Sequence, residues 1–592
     1  MTRNKVSYLR VPKPVSLWWN LLVDIVGAGN RMGAILQRVR RLLFRRRLPS
    51  MARRVSAHGS AALALAAAVL AACAQGNSDY ERTILGIQQQ IGAGELEEAR
   101  TLIGAAEAKY PANGGLENLL GVVEIQEGHT EEARKEFAKA IQHDPKLMGA
   151  ALNLSRLDMQ EAATDADARA RALKLSLRVL LADPHNDEAN YNAATIFYWD
   201  RNSSASLDHL KKLSEEARGH AVAQALECAA DAELGIRPAM LAVTAALAAN
   251  PEITEQDAAT CLPALRAARR ADLIETLYAA ANARQALSFE GLRTLGLAQE
   301  AEDRLPAARV SLESAYAADP TSVVVLADLA RVAERAGDNE GALGYVAHAR
   351  DLAPTDSKLA HEFAVICVRM GLLAEARKAF ADALRLAPDN ADYDLGMGLV
   401  ISFSEDPSQG LPYLERYHAL KPGDPEGALA LGTTYFRMKD YENAGIWLKD
   451  AALVPKTAAE ADYYLGSIAR QQGRTDEAVA DLNRSLTLDP ARAATLAELG
   501  EIDLGTGKFA EAENHFNKAL EIDAENYAAT FGLLQLYART GDPRREKQAA
   551  RFEEIKNKRQ ERDTQMMRVI ELKPVREADD ANAHGKSTGT AP

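Results

Sequence analysis

Residues that carry chemistry are scarce in this chain. Four cysteines stand among 592 residues and no two form a CxxC pair, so no zinc ribbon and no local dithiol motif is written here. Aromatics make up 6% of the residues, and the eleven histidines are scattered. His361-Glu362 lacks the second histidine of an HExxH metal site. Gly505-Thr506-Gly507-Lys508 fails as a phosphate loop. Phe509 follows the lysine, and Ile502 stands where the leading glycine belongs. No nucleophile–base constellation is visible. The expectation is therefore a protein with no catalytic residues, no metal site and no cofactor. The apolar run Ala61–Leu70 is too short to span a bilayer as a resident helix.

Charge is unevenly divided. Residues 1–72 carry 13 Lys and Arg against Asp24, a net of +12. The whole chain is −13, so residues 73–592 hold about −25. An acidic body of this kind argues against nucleic acid as a partner.

The stretch MARRVSAHGSAALALAAAVLAAC begins at Met51. Arg53 and Arg54 form a positive start, Ala61–Leu70 an apolar middle, and Leu70-Ala71-Ala72-Cys73 a small-residue end. This resembles a bacterial lipoprotein signal. The resemblance implies cleavage between Ala72 and Cys73 and acylation of the Cys73 thiol. It implies a protein held on a membrane surface, facing the periplasm. Ala74, where an aspartate would favour the inner membrane, points to the outer membrane. Residues 1–50 do not fit such a signal, which normally opens the chain. Either translation starts at Met51, or 1–50 is an extended basic n-region, or it carries a membrane-binding amphipathic segment around Leu36–Phe44.

The remaining sequence repeats. Prolines recur at 320, 354, 388 and 422, each 34 apart, and again at 490; 111 and 145 share the interval. With Val323 as position 1, position 8 reads Gly296, Ala330, Ala364, Gly398, Gly432, Gly466 and Gly500 through successive units. Position 20 reads Ala308, Ala342, Ala376, Gly410, Ala444, Ala478 and Ala512. Glycine falls at position 15 in many units, among them Gly94, Gly128, Gly337 and Gly507. This pattern resembles the tetratricopeptide repeat (TPR), two antiparallel helices A and B per unit. The fold class expected is all-α, a TPR α-solenoid with a C-terminal capping helix.

The organisation expected is an early-start or basic extension at 1–50, a signal at 51–72 and a lipidated linker at 73–79. Partly degenerate repeats follow at 80–286, regular repeats at 287–543, a charged capping helix at 544–572 and a polar tail at 573–592. The weak units start near Asp187, His220 and Thr254, and the unit at Met148–Asn186 carries an insert near Glu161–Asp167. Cys228, Cys261 and Cys367 fall on helix A and read as buried small residues. A Cys228–Cys261 bridge is the alternative. Against it, helices usually pack 8–10 Å apart, and a bridge needs Cα atoms within about 7 Å.

By resemblance, TPR arrays bind protein partners on a concave face lined by helix A, at positions 2, 5, 9, 12 and 13. Arg335, Arg369, Arg437 and Arg539 stand at position 13 and Arg470 at position 12. They are candidates to clamp carboxylates or an acidic peptide; the plainer reading is that they complement a helix dipole. Tyr191, Trp199 and Tyr463 occupy comparable places, either as interface anchors or as packing. The partners expected are other proteins or peptides, and the membrane through lipid on Cys73. TPR lipoproteins of this kind serve pilus, secretion and exopolysaccharide-export machines. A second reading is an adaptor that recruits envelope enzymes such as peptidoglycan hydrolases.

Overall fold

The computed structural model describes residues 79–403 and 406–566, with side chains as far as 560. Cys73, Ala72, the whole signal and the tail lie outside the described residues. Every element within them is helical, the only exceptions to α-helix being short turns and a 3₁₀ segment at Pro407–Gly410. No described helix is long and apolar enough to cross a membrane. The chain divides into two compact units, one ending at Ala150 and one beginning at Ala151. This division falls elsewhere than at 286/287, where the repeats become regular in sequence.

In the first unit, a helix at 79–93 is followed by Leu96–Lys109, and Gly114–Glu127 pairs with Thr130–His143. Ile87, Ile103, Leu116 and Phe137 are fully buried between them. Asn113 caps the third helix by accepting from the Leu116 amide at 3.1 Å, and the Tyr80 hydroxyl donates to the same Asn113 side chain at 2.9 Å.

The second unit is a stack of such hairpins. Its A helices include Asp187–Trp199, Ala221–Glu233, Glu255–Ala267, Phe289–Ala301, Val323–Arg335, Ser357–Arg369, Ala391–Ser402, Pro425–Arg437, Pro455–Gln471, Ala493–Gly505 and Tyr527–Thr540. The weak units therefore hold complete helices. In the first of them helix B is broken into Ser203–Leu210 and Glu215–Gly219, which blurs its sequence pattern. Within a hairpin the small residue at position 8 receives the large one at position 24. A Cβ added to Gly296 would come within 2.7 Å of Leu312, and one added to Gly500 within 2.6 Å of the Phe516 ring. Ala308, Ala342, Ala376 and Ala444 at position 20 are completely buried.

Position 15 turns from A to B in the left-handed region. Glycine holds it at Gly337, Gly473 and Gly507, but Arg201, Arg269, Asp303 and Lys439 hold it elsewhere, with φ between 55° and 62°. Such residues cost roughly 1 kcal/mol or more there, and hairpin packing overrides the preference. This explains why glycine marks only some repeats. The proline row skips 456 for another reason. Pro455 stands one place early and opens the next A helix, which grows to 17 residues while the preceding B helix shrinks to 11. The insert after Met148 is not confined to Glu161–Asp167. Most of it lengthens helix Ala166–Ala182 to 17 residues, against 14 for a regular helix B.

The final helix, Arg545–Met566, packs on Tyr527–Thr540. Phe552 and Ile555 are buried, and the Phe552 ring lies 5.0 Å from Tyr527 and 5.2 Å from Phe531. The last apolar face is thus covered as far as Ile555.

Candidate functional site

The five arginines singled out by sequence all have intramolecular partners one repeat away. Arg335 Nη1 donates to the Glu300 carbonyl at 2.8 Å, Arg437 Nε to the Ser402 carbonyl at 2.7 Å, and Arg539 Nη1 to the Leu504 carbonyl at 3.1 Å. Each carbonyl belongs to the last turn of the preceding A helix, beyond the regular i+4 donors; those of Glu300 and Leu504 also accept from the turn amides of Asp303 and Gly507. Position 13 is thus a cap supplied from the next repeat. The dipole these arginines complement is the neighbour's as much as their own. Arg369 Nη1 instead reaches the Glu334 carboxylate at 2.9 Å. Arg470 reaches forward, to Glu498 at 2.8 Å and Glu501 at 3.2 Å.

Around Arg335 the pairing extends into a network. Arg331 holds both Glu300 carboxylate oxygens, at 2.8 and 2.7 Å, and Asp328 at 2.8 Å. Arg293 Nε donates to Asp328 at 2.7 Å. Burial alone would raise the Glu300 carboxyl, but Arg331 and Arg335 outweigh it and hold it below the ordinary carboxylate range. Sequence reasoning missed Arg331 and Arg293 because their acids lie on other helices, 31 and 35 residues away.

These pairings leave part of each guanidinium in water. The Arg335 side chain is 40% exposed and that of Arg369 51%. The A-helix face also shows apolar groups: Val324, Val368, Phe403 and Phe531 are all exposed. Phe403 is the most open at 59%, and the Arg437 guanidinium lies 4.8 Å from its ring centroid.

The three aromatic candidates are largely engaged. Tyr191 packs into a core with Leu207 and Leu226, and burial raises its hydroxyl pKa. Trp199 lies under Arg169, 5.8 Å from ring to guanidinium. Tyr463 stacks edge-on with Tyr464 at 5.1 Å, and burial pushes its hydroxyl up to about 12.

Among the described residues one cluster has metal-ligand geometry, Glu124 with Glu127 and His129 in the first unit. Arg100 already occupies it, donating to Glu124 at 2.7 Å and to Glu127. That pairing lowers the Glu124 pKa, and the cluster is an ion-pair network. The turn at Gly505–Lys508 is an ordinary repeat turn, with Gly507 at φ 81°.

The fold is an all-α tetratricopeptide-repeat fold, built of protein-interaction modules. Residues 89–147 and 457–525 each match the tetratricopeptide-repeat family. Heat shock protein STI1 of Saccharomyces cerevisiae is 33% identical over 107 residues, covering 18% of this chain and 18% of that protein. Among solved structures, the anaphase-promoting-complex assembly Cut9–Hcn1 covers 76% of this chain and 95% of its own at 14% identity and a TM-score of 0.35. A tetratricopeptide-repeat protein from Parabacteroides merdae covers 42% and 98% at 16% identity and a TM-score of 0.39. YrrB, described as a TPR protein with an unusual peptide-binding site, covers 31% and 95% at 20% identity and a TM-score of 0.27.

Proposed function

We propose that this chain is a non-enzymatic docking scaffold, anchored in the bacterial envelope by lipid on Cys73, which assists assembly of an export or pilus machine. The observation that carries the binding part is the Phe403–Arg437 pair. A 59% exposed aromatic ring beneath a guanidinium joins two residue types that are enriched at protein interfaces. A partner's apolar side chain would cover the Phe403 ring. The Leu70–Cys73 sequence supports the anchor and the envelope location.

The two halves are tested separately. Cys73→Ala should move the protein from the membrane fraction to the soluble fraction; retention on membranes would remove the lipid anchor from the account. Phe403→Ala with Arg437→Ala should reduce capture of envelope proteins at least about tenfold, the size of a lost hot spot, while helicity stays constant. Co-purification of secretin, pilin or polysaccharide-export components would name the machine.

A further inference from the structure

Cys228 and Cys261 stand on consecutive A helices, Ala221–Glu233 and Glu255–Ala267. Among described residues, these two helices make the most extensive contact between successive A helices of the second unit. Their facing surfaces are built of small residues. Ala225 and Ala229 on one helix and Ala258 and Ala264 on the other are buried in one cluster with both cysteines. Small side chains let the backbones approach closely, so the generic helix separation that argued against a bridge does not hold here.

Both cysteines have zero exposure. The two thiols are close enough to perturb each other's ionisation. Cys261 Sγ also donates across the helix contact to the Ala225 carbonyl at 3.4 Å. Cys228 Sγ lies 3.2 Å from Thr244 Oγ1, which directs its own proton to the Met240 carbonyl at 2.7 Å and so accepts from Cys228. The two sulfurs are held together by groups from three helices.

We infer that Cys228 and Cys261 form a covalent modification site, a disulfide linking two consecutive repeats. The oxidant is an exchanging disulfide, of glutathione or of a thiol oxidoreductase. The Cys228 thiolate attacks one of its sulfurs, forming a mixed disulfide and releasing one thiolate. That thiolate takes the Cys261 proton, and Cys261 then attacks the Cys228 sulfur and expels the second thiolate. Two protein thiols become one disulfide, and one external disulfide becomes two thiols. When Cys228 ionises, the Cys261 proton turns from the Ala225 carbonyl to the thiolate, which lowers the Cys228 pKa and makes Cys228 the first to ionise. Because both sulfurs are buried, exchange proceeds when this pair of hairpins opens locally. Cys367 is buried in a separate cluster and serves as an internal control.

The test uses the full chain in a glutathione redox buffer, followed until its thiol content is constant, with a parallel sample in denaturant. Acid quench, alkylation and non-reducing peptide mapping report each cysteine. The expected result is a Cys228–Cys261 linked peptide roughly tenfold or more abundant in the folded sample than in denaturant, with Cys367 alkylated in both. A bridge no more abundant in the folded chain, or one that pairs Cys367 instead, would overturn the inference.

Discussion

Arg335 Nη1 lies 2.8 Å from the main-chain carbonyl of Glu300, a residue 35 positions earlier and one repeat back. The same reach joins Arg437 to Ser402 and Arg539 to Leu504. An arginine at this place caps its neighbour, so its first effect is on the coupling between repeats. Arg335→Ala should lower stability by about 1 kcal/mol, the scale of a charge-assisted hydrogen bond discounted for exposure. Arg369→Ala, which loses only an exposed carboxylate contact, should cost less than about 0.5 kcal/mol. Denaturation midpoints of the two variants check the order; equal losses would remove the capping role.

Asp231 supplies a pH test. It is 3% exposed, and burial, reinforced by Glu227, pushes its carboxyl up to about 6. A raised folded pKa means that the folded state holds the proton more tightly than the unfolded chain. The stability this gives is complete below the unfolded value near 4 and is lost as pH rises through about 6. Asp231→Asn should therefore melt higher than the parent at pH 7.5 and equal to it below about pH 4. Melting curves across that window check it. A constant difference at every pH would contradict it.

The contact between Gly432 at position 8 and Leu448 at position 24 predicts intolerance of a side chain added to that glycine. A Cβ on Gly432 would meet Leu448 Cγ at 2.7 Å and the Leu448 main-chain nitrogen at 3.1 Å. Backbone cannot move aside as a side chain can, so Gly432→Val should cost about 1–3 kcal/mol. Gly445, in the partner helix of the same hairpin, has nothing within 4 Å of its missing Cβ. Gly445→Ala should be neutral or stabilise by up to about 1 kcal/mol.

The last helix closes the array through Phe552. Phe552→Ala removes a ring held between Tyr527 and Phe531, at a local cost of about 3 kcal/mol. Amides of Tyr527–Thr540 should then exchange hydrogen faster, with little change in Val323–Arg335. Unchanged exchange in the last repeat would show that the helix does not cap it.

The repeat was legible because it is a spacing. Small residues at positions 8 and 20 and prolines every 34 residues reflect contacts inside one hairpin, which the sequence writes locally. Contacts between hairpins were not legible. Arg335 reads as a free cation until Glu300 is brought beneath it, and Cys228 and Cys261 read as too far apart until their alanine faces meet. The weak units were obscured by substitutions whose cost hairpin packing overrides, such as Arg201 and Arg269 in left-handed turns. The exposure of Phe403 under Arg437 had no sequence signature, because helix A aromatics serve equally as core.

The central claim is that the A-helix face takes a protein partner. The most direct measurement places a photo-crosslinking residue singly at exposed A-helix positions, Val324, Val368, Phe403 and Phe531, and at the still more exposed helix B positions Val310 and Ile446. The proteins are irradiated in living cells, and the adducts are identified by mass spectrometry. The account predicts adducts to the same envelope protein from the A-helix positions, strongest at Phe403, and none from helix B. Adducts from helix B alone, or from both faces alike, would contradict it.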